Sequence, residues 1–326
     1  MADLSTSWLG LPMKNPLMVA ASGLTANTDA VRKAALAGAG AIVLKSLFEE
    51  QLSAELAGAR AALEAGAHPE AEAFFRRAGM TEGEDDYLRL IEGCLGNGIP
   101  VVASVNCVGR SRWAEFASRI ESAGADAIEL NMAMLPRSKA DSGADIEARL
   151  VEVASSVRAA TRLPLAVKLG QGYASLPNLT SHLVDAGVGG LVLFNRFYRL
   201  DVDLEKLALK AGPSRSTGDE YHESLRWISL LAGRYPIEFA AATGIHDAET
   251  ALKLVAAGAR AVQICSVIYR RGLGVIGEMA RAMGDWMEGH GVPSIDSLRG
   301  RLSQAASLDP ASHERLQYIK ALTGIA

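Results

Sequence analysis

The stretch AAGARAVQICS, residues 256–266, holds a helix end, a glycine and a strand within eleven residues. Gly258 suits the left-handed position that stops a helix, and the run AVQIC behind it suits a strand buried on both faces. The pattern recurs in LAGAGAIVLKS (36–46), SAGADAIELNM (122–132) and DAGVGGLVLFN (185–195). Four more strand-like runs lie between these repeats: NPLMVAAS (15–22), PVVASVN (100–106), PLAVKL (164–169) and IEFAAAT (237–243). Amphipathic stretches such as TDAVRKAALAG, SRWAEFASRIESAG, DIEARLVEVASSVRAA and DAETALKLVAAG fill the gaps. Asp, Ser or Thr stands near several of their starts, as a helix cap would. Eight strands alternating with helices, without a linker-like break, predict one parallel (β/α)8 TIM barrel over residues 1–326. A doubly wound open sheet is the structural alternative, and the lack of a GxGxxG fingerprint after the first strand weighs against it. Two excursions interrupt the rhythm. Residues 47–83, rich in Ala and Glu, are expected to form a helical cover over the barrel mouth, and residues 196–217 a loop after the sixth strand. The tail from about residue 294 reads as helical and peripheral.

The chain has 326 residues, 49% hydrophobic and 21% charged, with a formal net charge of -4. Mild acidity gives no support for nucleic-acid or anionic-membrane partners, which want basic stripes. No apolar run approaches the ~18 residues that span a bilayer. Cys94, Cys107 and Cys265 are odd in number and widely spaced, without a CxxC. They argue for a reducing cytoplasm and against a disulfide framework, a zinc site or an iron–sulfur site. The six histidines show no HxxxH pair, so no metal is expected.

Chemistry in such barrels is built at the C-terminal ends of the strands. Those ends read Ser22-Gly23, Lys45-Ser46, Asn106, Asn131, Lys168, Asn195-Arg196, Thr243-Gly244 and Cys265-Ser266. Serine and threonine are ordinary where polar residues resume after a strand. An apolar strand ending in lysine is less expected, and two do. The set holds no carboxylate pair for glycoside hydrolysis and no His/Asp cluster for metal-assisted hydrolysis. Two cations with several amides suit an anionic, hydrogen-bond-rich planar ligand, and a flavin fits that description. The loops TGIHDAET and CSVIYRRG, after strands seven and eight, stand where these barrels favour phosphate. There Thr243, Gly244, Cys265 and Ser266 could offer backbone N–H groups.

The blocks NPLMVAASG, LKS, ASVN, IELN, VKL, LFN and ATGIHDAETALKLVAAGARAVQICS, in order between about residues 8 and 300, together resemble the dihydroorotate dehydrogenases. These are FMN-dependent flavoproteins on a (β/α)8 barrel. The short N-terminal segment before the first strand resembles the soluble branch. The resemblance implies FMN as cofactor, with Ala21, Ser22 and Gly23 passing beneath the flavin. It implies Lys45 and Ser46 at the ring and substrate edge, with Lys45 and Asn131 also in the catalytic set. Asn106 and Asn131 would touch flavin and substrate, Asn195 the substrate, and Lys168 the N1/C2 edge of the ring. Thr243-Gly244 and Cys265-Ser266 would cradle the phosphate, with Gly218 as a further phosphate-side glycine.

The family's catalytic loop departs from this chain. Its N-L-S-C-P-N, with cysteine as base, aligns with Asn131-Met132-Ala133-Met134-Leu135-Pro136. A thioether has no acidic proton, so Met134 at the base position is itself no base. The substrate segment N-S-x-G-L-P-N is replaced by AFFRRAGMTEGEDDYL, and Arg196 stands where a small hydroxyl residue is usual. Arg196 is expected either to meet a substrate anion or to pair with Asp201 or Asp203. Substitutes for the base are Ser138, Cys107, Tyr173 or a residue of the 47–83 segment. The expected activity is hydride transfer between FMN and a C–C bond of a small polar substrate, pyrimidine-like or anionic, with an external electron partner. A Schiff-base aldolase using Lys168 or Lys45, and a flavin-binding protein without turnover, are the alternatives. A homodimer is the expected assembly.

Overall fold

The computed structural model describes residues 2–48, 83–106, 113–132, 134, 136, 138–197 and 199–310. Eight parallel strands close a barrel: β1 (Leu17–Val19), β2 (Ala41–Val43), β3 (Val101–Asn106), β4 (Ala127–Met132), β5 (Leu165–Leu169), β6 (Gly190–Leu193), β7 (Glu238–Ala242) and β8 (Ala261–Ile264). Each predicted run supplies one strand. Closure is completed by β8 on β1, with Val262 opposite Leu17, and β2 on β3, with Val43 opposite Val102.

Helices follow the strands: α1 (Thr28–Leu36), α2 (Glu84–Gly93), α3 (Trp113–Ser122), α4 (Gly143–Ala160), α5 (Leu176–Asp185), α6 (His222–Leu231), α7 (Ala248–Ala257), then α8 (Ser266–Arg271) and α9 (Gly274–Gly289). Asn27, Ser142, Ser175 and Asp247 cap α1, α4, α5 and α7, each side chain accepting from a backbone N–H of the first turn. The glycines of the four repeats, Gly38, Gly124, Gly187 and Gly258, all have positive φ, at 107°, 91°, 81° and 129°. A side chain there would be strained, so the repeat Ala-Gly marks the place where helix turns back to strand.

Period-two alternation divides the core into two. Ile128, Leu130 and Met132 of β4, with Val167 and Leu169 of β5, join the large apolar cluster between strands and helices. Met18, Val43, Val102, Ala127, Ala166, Val192 and Ala240 fill the inside of the barrel. Trp8 and Met13 join that inner cluster from an antiparallel hairpin, Thr6–Trp8 with Leu11–Met13, turned at Leu9 and Gly10. Trp8 lies against Gly190, where an added Cβ would come within 2.7 Å of the indole. The hairpin thus plugs the base of the barrel, a role the sequence reading did not assign.

Three expectations need correction. Leu47–Phe48, the start of the supposed cover, is extended and pairs with Val105–Asn106 of β3, because β2 leaves the ladder at Lys45-Ser46 and returns. The rest of that cover, apart from Gly83, lies outside the described residues. The excursion after β6 is an antiparallel hairpin, Leu200–Asp203 with Ala208–Ala211, which leaves Leu200, Val202 and Leu209 exposed on one face. The tail is not peripheral at its start: Ile295 and Leu298 of a short helix are buried, and Ser294 bridges to Asp3.

Candidate active site

The strand ends gather as their register dictates. Asn106, Asn131 and Lys168 are neighbours across β3, β4 and β5, Asn106 opposite Asn131 and Asn131 opposite Lys168. All three belong to the inward-facing series of their strands. Asn195 Nδ2 donates to Asn131 Oδ1 at 2.8 Å, which adds the end of β6 to the row. A cavity of about 160 Å³ opens beside it, lined by Ala20, Ala21, Lys168, Asn195, Arg196, Ser214, Ser216, Ala242, Thr243, Gly244, Ile245, Gln263, Cys265 and Ser266. A larger cavity, about 450 Å³, lies at the opposite end among Tyr235, Glu238, Arg260 and Arg299. It sits at the N-terminal ends of the strands, away from this row, and its Arg260 and Glu238 neutralise one another at 3.0 Å.

Lys168 is 7% exposed and does not stand alone. Its Nζ donates to Gln263 Oε1 at 2.7 Å, and Gln263 Nε2 donates to Glu129 Oε2 at 2.5 Å. The second Glu129 oxygen, Oε1, lies 3.8 Å from Lys168 Nζ and has no hydrogen-bond partner among the described residues. Burying a lone ammonium is costly, and this carboxylate and amide, reaching in from β4 and β8, make it tolerable. Neither Glu129 nor Gln263 was singled out from the sequence. The signal was there: one polar residue inside each of AIELN and AVQIC, two positions before the strand end and therefore on the inward face.

On the β1–β2 side, Ser22 Oγ accepts from Leu24 N–H at 3.2 Å and caps a short turn that begins at Gly23. A Cβ on Gly23 would come within 2.9 Å of the Tyr269 hydroxyl. Lys45 is half-buried beside it, its N–H donating to Thr25 O at 3.3 Å. Ser46 shares a 2.8 Å hydrogen bond with Ser104, an inward residue of β3. Where β2 leaves the ladder, the Tyr87 hydroxyl of α2 takes its place, accepting from Ser104 N–H at 2.7 Å and donating to Ser104 O at 2.8 Å.

On the β7–β8 side, Thr243 has φ 72° and Gly244 φ 80°. A left-handed β-branched residue is strained by about 1–3 kcal/mol, and here Thr243 Oγ1 donates to Phe194 O at 3.0 Å. Gly244 allows the close approach of Tyr221, whose backbone N would lie 2.2 Å from an added Cβ. Ser266 Oγ accepts from Ser216 N–H at 3.0 Å, Ser216 Oγ bonds His246 Nε2 at 3.1 Å, and Arg270 donates to Ser216 O at 2.8 Å. Ser216 is thus a missed site residue, drawn in by the long return of the β6 excursion. Burial pushes the Cys265 thiol above its ordinary range and holds His246 below its own, with the nearby Arg270 charge acting in the same direction on His246.

Among the remaining expected residues, only Arg196 lines the cavity. Gly218 opens a short turn two residues beyond Ser216, with nothing within 4 Å of an added Cβ, and does not line the cavity. Arg196 lines it, but its ion pair is neither Asp201 nor Asp203: Glu220 Oε2 meets Arg196 Nε at 2.9 Å and Arg199 at 2.8 Å. Met132 is fully buried on the helix side of β4, and Met134 packs against the same outer cluster. Of the candidate bases, Ser138 is exposed in a turn and Cys107 lies outside the described residues. Tyr173 is partly buried, which pushes its hydroxyl up to about 12. Among the described residues there is no group of His, Cys, Asp or Glu that could hold a metal ion, and no helix long and apolar enough to cross a membrane.

The family model for dihydroorotate dehydrogenase matches residues 3–287. The catalytic subunit of dihydroorotate dehydrogenase B (NAD(+)) from Methanothermobacter thermautotrophicus is 24% identical over 311 residues, covering 91% of this chain and 97% of that protein. The subunit of the same name from Methanocaldococcus jannaschii is 26% identical over 289 residues, covering 82% and 88%. With a barrel closed in the expected strand order and a match over most of its length, the chain belongs to the dihydroorotate dehydrogenase family.

Proposed function

We propose that this protein is an FMN-dependent oxidoreductase that moves a hydride between the flavin and a C–C bond of a small polar or anionic substrate. The observation that carries this reading is the row Asn106–Asn131–Lys168, level at the ends of three adjacent strands, with Asn195 bonded onto it. The donor set fits a flavin. A buried ammonium suits the edge of the ring that is negative when reduced, and three amides suit a rim of alternating donors and acceptors. Bound there, FMN supplies the hydride chemistry that no side chain of the site can provide.

The chain's own part is binding, orientation and charge. Lys168 would hold the anionic edge, its ammonium fixed from below by Gln263. Asn131 and Asn195 orient each other, and with Asn106 would present amides to ring and substrate. Ala21, Ser22 and Gly23 would pass beneath the ring, with Lys45 and Ser46 at its substrate edge. Backbone N–H groups at Gly244, Cys265 and Ser266 would take the phosphate, with Thr243 holding the β7 turn and Arg270 tying Ser216 over it. Gly218 would flank the phosphate side from the next turn. Lys168 as a Schiff-base nucleophile is disfavoured, since it would need to be a free amine and is placed against a carboxylate instead.

The substrate side differs from the family's usual one. Met134 is no proton acceptor, and the Tyr173 hydroxyl stays protonated at neutral pH. Arg196, already matched by Glu220, leaves a half-neutralised cation for a substrate anion. Dihydroorotate should therefore reduce the enzyme slowly, because a positioned base contributes roughly 10²–10⁴-fold. The electron partner would be external; the names of the two relatives print NAD(+) for them. The test is the visible spectrum of freshly purified protein, followed by anaerobic titration with dihydroorotate. A flavin spectrum with slow or no bleaching is expected. A colourless protein that fails to take up added FMN defeats the reading, and rapid bleaching defeats the substrate part of it.

A further inference from the structure

We infer that Glu129 is a positioning residue that sets the charge beneath the bound flavin by working through Lys168 and Gln263. This inference rests on the FMN reading and adds to it a residue that never touches the cofactor. Three observations meet at this carboxylate. Glu129 is 1% exposed inside the barrel, on the strand that ends in Asn131. One of its oxygens is bonded across the barrel axis to Gln263, whose own oxygen holds the Lys168 ammonium. The other oxygen has no hydrogen-bond partner among the described residues and faces Lys168 Nζ at 3.8 Å.

Structural need alone does not explain the arrangement. A buried ion pair is seldom more stable than apolar residues of the same size, and the layer immediately below is apolar: Ala127, Ala166 and Ala240. An isolated lysine at the mouth would bind the reduced, anionic flavin much more tightly than the oxidised, neutral form. A carboxylate close behind it offsets part of that field, since both charges act through a poorly screened interior. Glu129 therefore moderates Lys168 and keeps the reduced cofactor from becoming too stable to pass its electrons on. Gln263 fixes the geometry, because its amide binds cation and anion at once.

The consequence is a pair of opposite shifts. Lys168→Met should lower the affinity for reduced relative to oxidised FMN. Glu129→Gln, which keeps the shape and the acceptor for Gln263, should raise that ratio by about tenfold or more. Glu129→Asp, which keeps the charge, should stay near the wild type. The measurement is the reduction potential of bound FMN, by dye-coupled reductive titration, beside the potential of free FMN. A merely structural role for Glu129 would alter folding or total affinity but would leave the potential in place.

The outcomes separate the two claims. If the wild type takes up no FMN, the functional reading fails. If the wild type binds FMN and the Glu129→Gln potential equals it or moves downward, the inference is overturned and the reading stands. Should Glu129→Gln fail to fold, Gln263→Glu adds a carboxylate at the same level instead of removing one. It should then shift the potential downward, and an unchanged value there would overturn the inference equally.

Discussion

The two halves of the barrel interior are built by the same strands and differ in everything else. Toward the base, Met18, Val43, Val102, Ala127, Ala166 and Ala240 pack with Trp8 and Met13 in one apolar cluster. Two residues further along the same strands, the interior holds Ser104, Glu129, Lys168 and Gln263, and then the amides. Period-two geometry aims both halves inward, so backbone geometry does not distinguish them. Side-chain chemistry does: the base contributes stability by dispersion and burial, whereas the mouth spends stability on charges that a ligand can use.

The largest effect that should sharpen this contrast is at the base. Trp8→Ala should cost about 3–5 kcal/mol of stability, because it empties the plug against Gly190 and leaves a cavity. Denaturant unfolding monitors it, and a loss below about 1 kcal/mol would show that the hairpin is dispensable.

At the mouth, Lys168→Met should destabilise the cofactor-free protein by about 3 kcal/mol, since it leaves the Glu129 carboxylate buried without its cation. Adding Glu129→Leu should return most of that loss, a non-additivity absent between Trp8 and either residue. Equal, additive costs for both mouth substitutions would break the contrast, because the pair would then be ordinary core.

The smallest effect concerns Cys265. Burial raises its thiol above the ordinary value of about 8.5, so the native protein keeps it protonated where an unfolded chain ionises. A folded value raised above the unfolded one contributes stability that is fully present below about pH 8.5. That contribution is lost as pH rises through the folded value. Alkylation of Cys265, followed by peptide mass spectrometry, should therefore be severalfold slower in native protein at pH 8.5 than in urea. Cys94, pushed up to about 11 by burial, should be slower still and serves as the buried reference. Equal native and denatured rates at Cys265 would place it outside the closed part of the mouth.

The barrel was legible because the repeats carry their own punctuation. Gly38, Gly124, Gly187 and Gly258 take the positive φ that the Ala-Gly pattern announces, and every predicted run became a strand. The mouth was half legible. Asn106, Asn131, Lys168 and Asn195 could be read as strand ends, and the register then made them neighbours. The base plug was not legible, since Thr6–Met13 is a short polar-to-apolar run with no periodicity to mark it as part of a barrel interior.

Local order along the chain therefore settled the strands, the helix stops, the direction in which side chains alternate and the family resemblance, because these depend on residues a few positions apart. Pairings across the barrel were decided only by the tertiary structure. Glu129 and Gln263 are 134 positions apart and Lys168 and Gln263 are 95 apart, yet closure brings strands four, five and eight to one axis. Arg196 likewise found Glu220 and not Asp201 or Asp203 of the adjoining hairpin. A buried charge takes whichever partner the fold presents, since leaving it unpaired costs more than any local preference can offset.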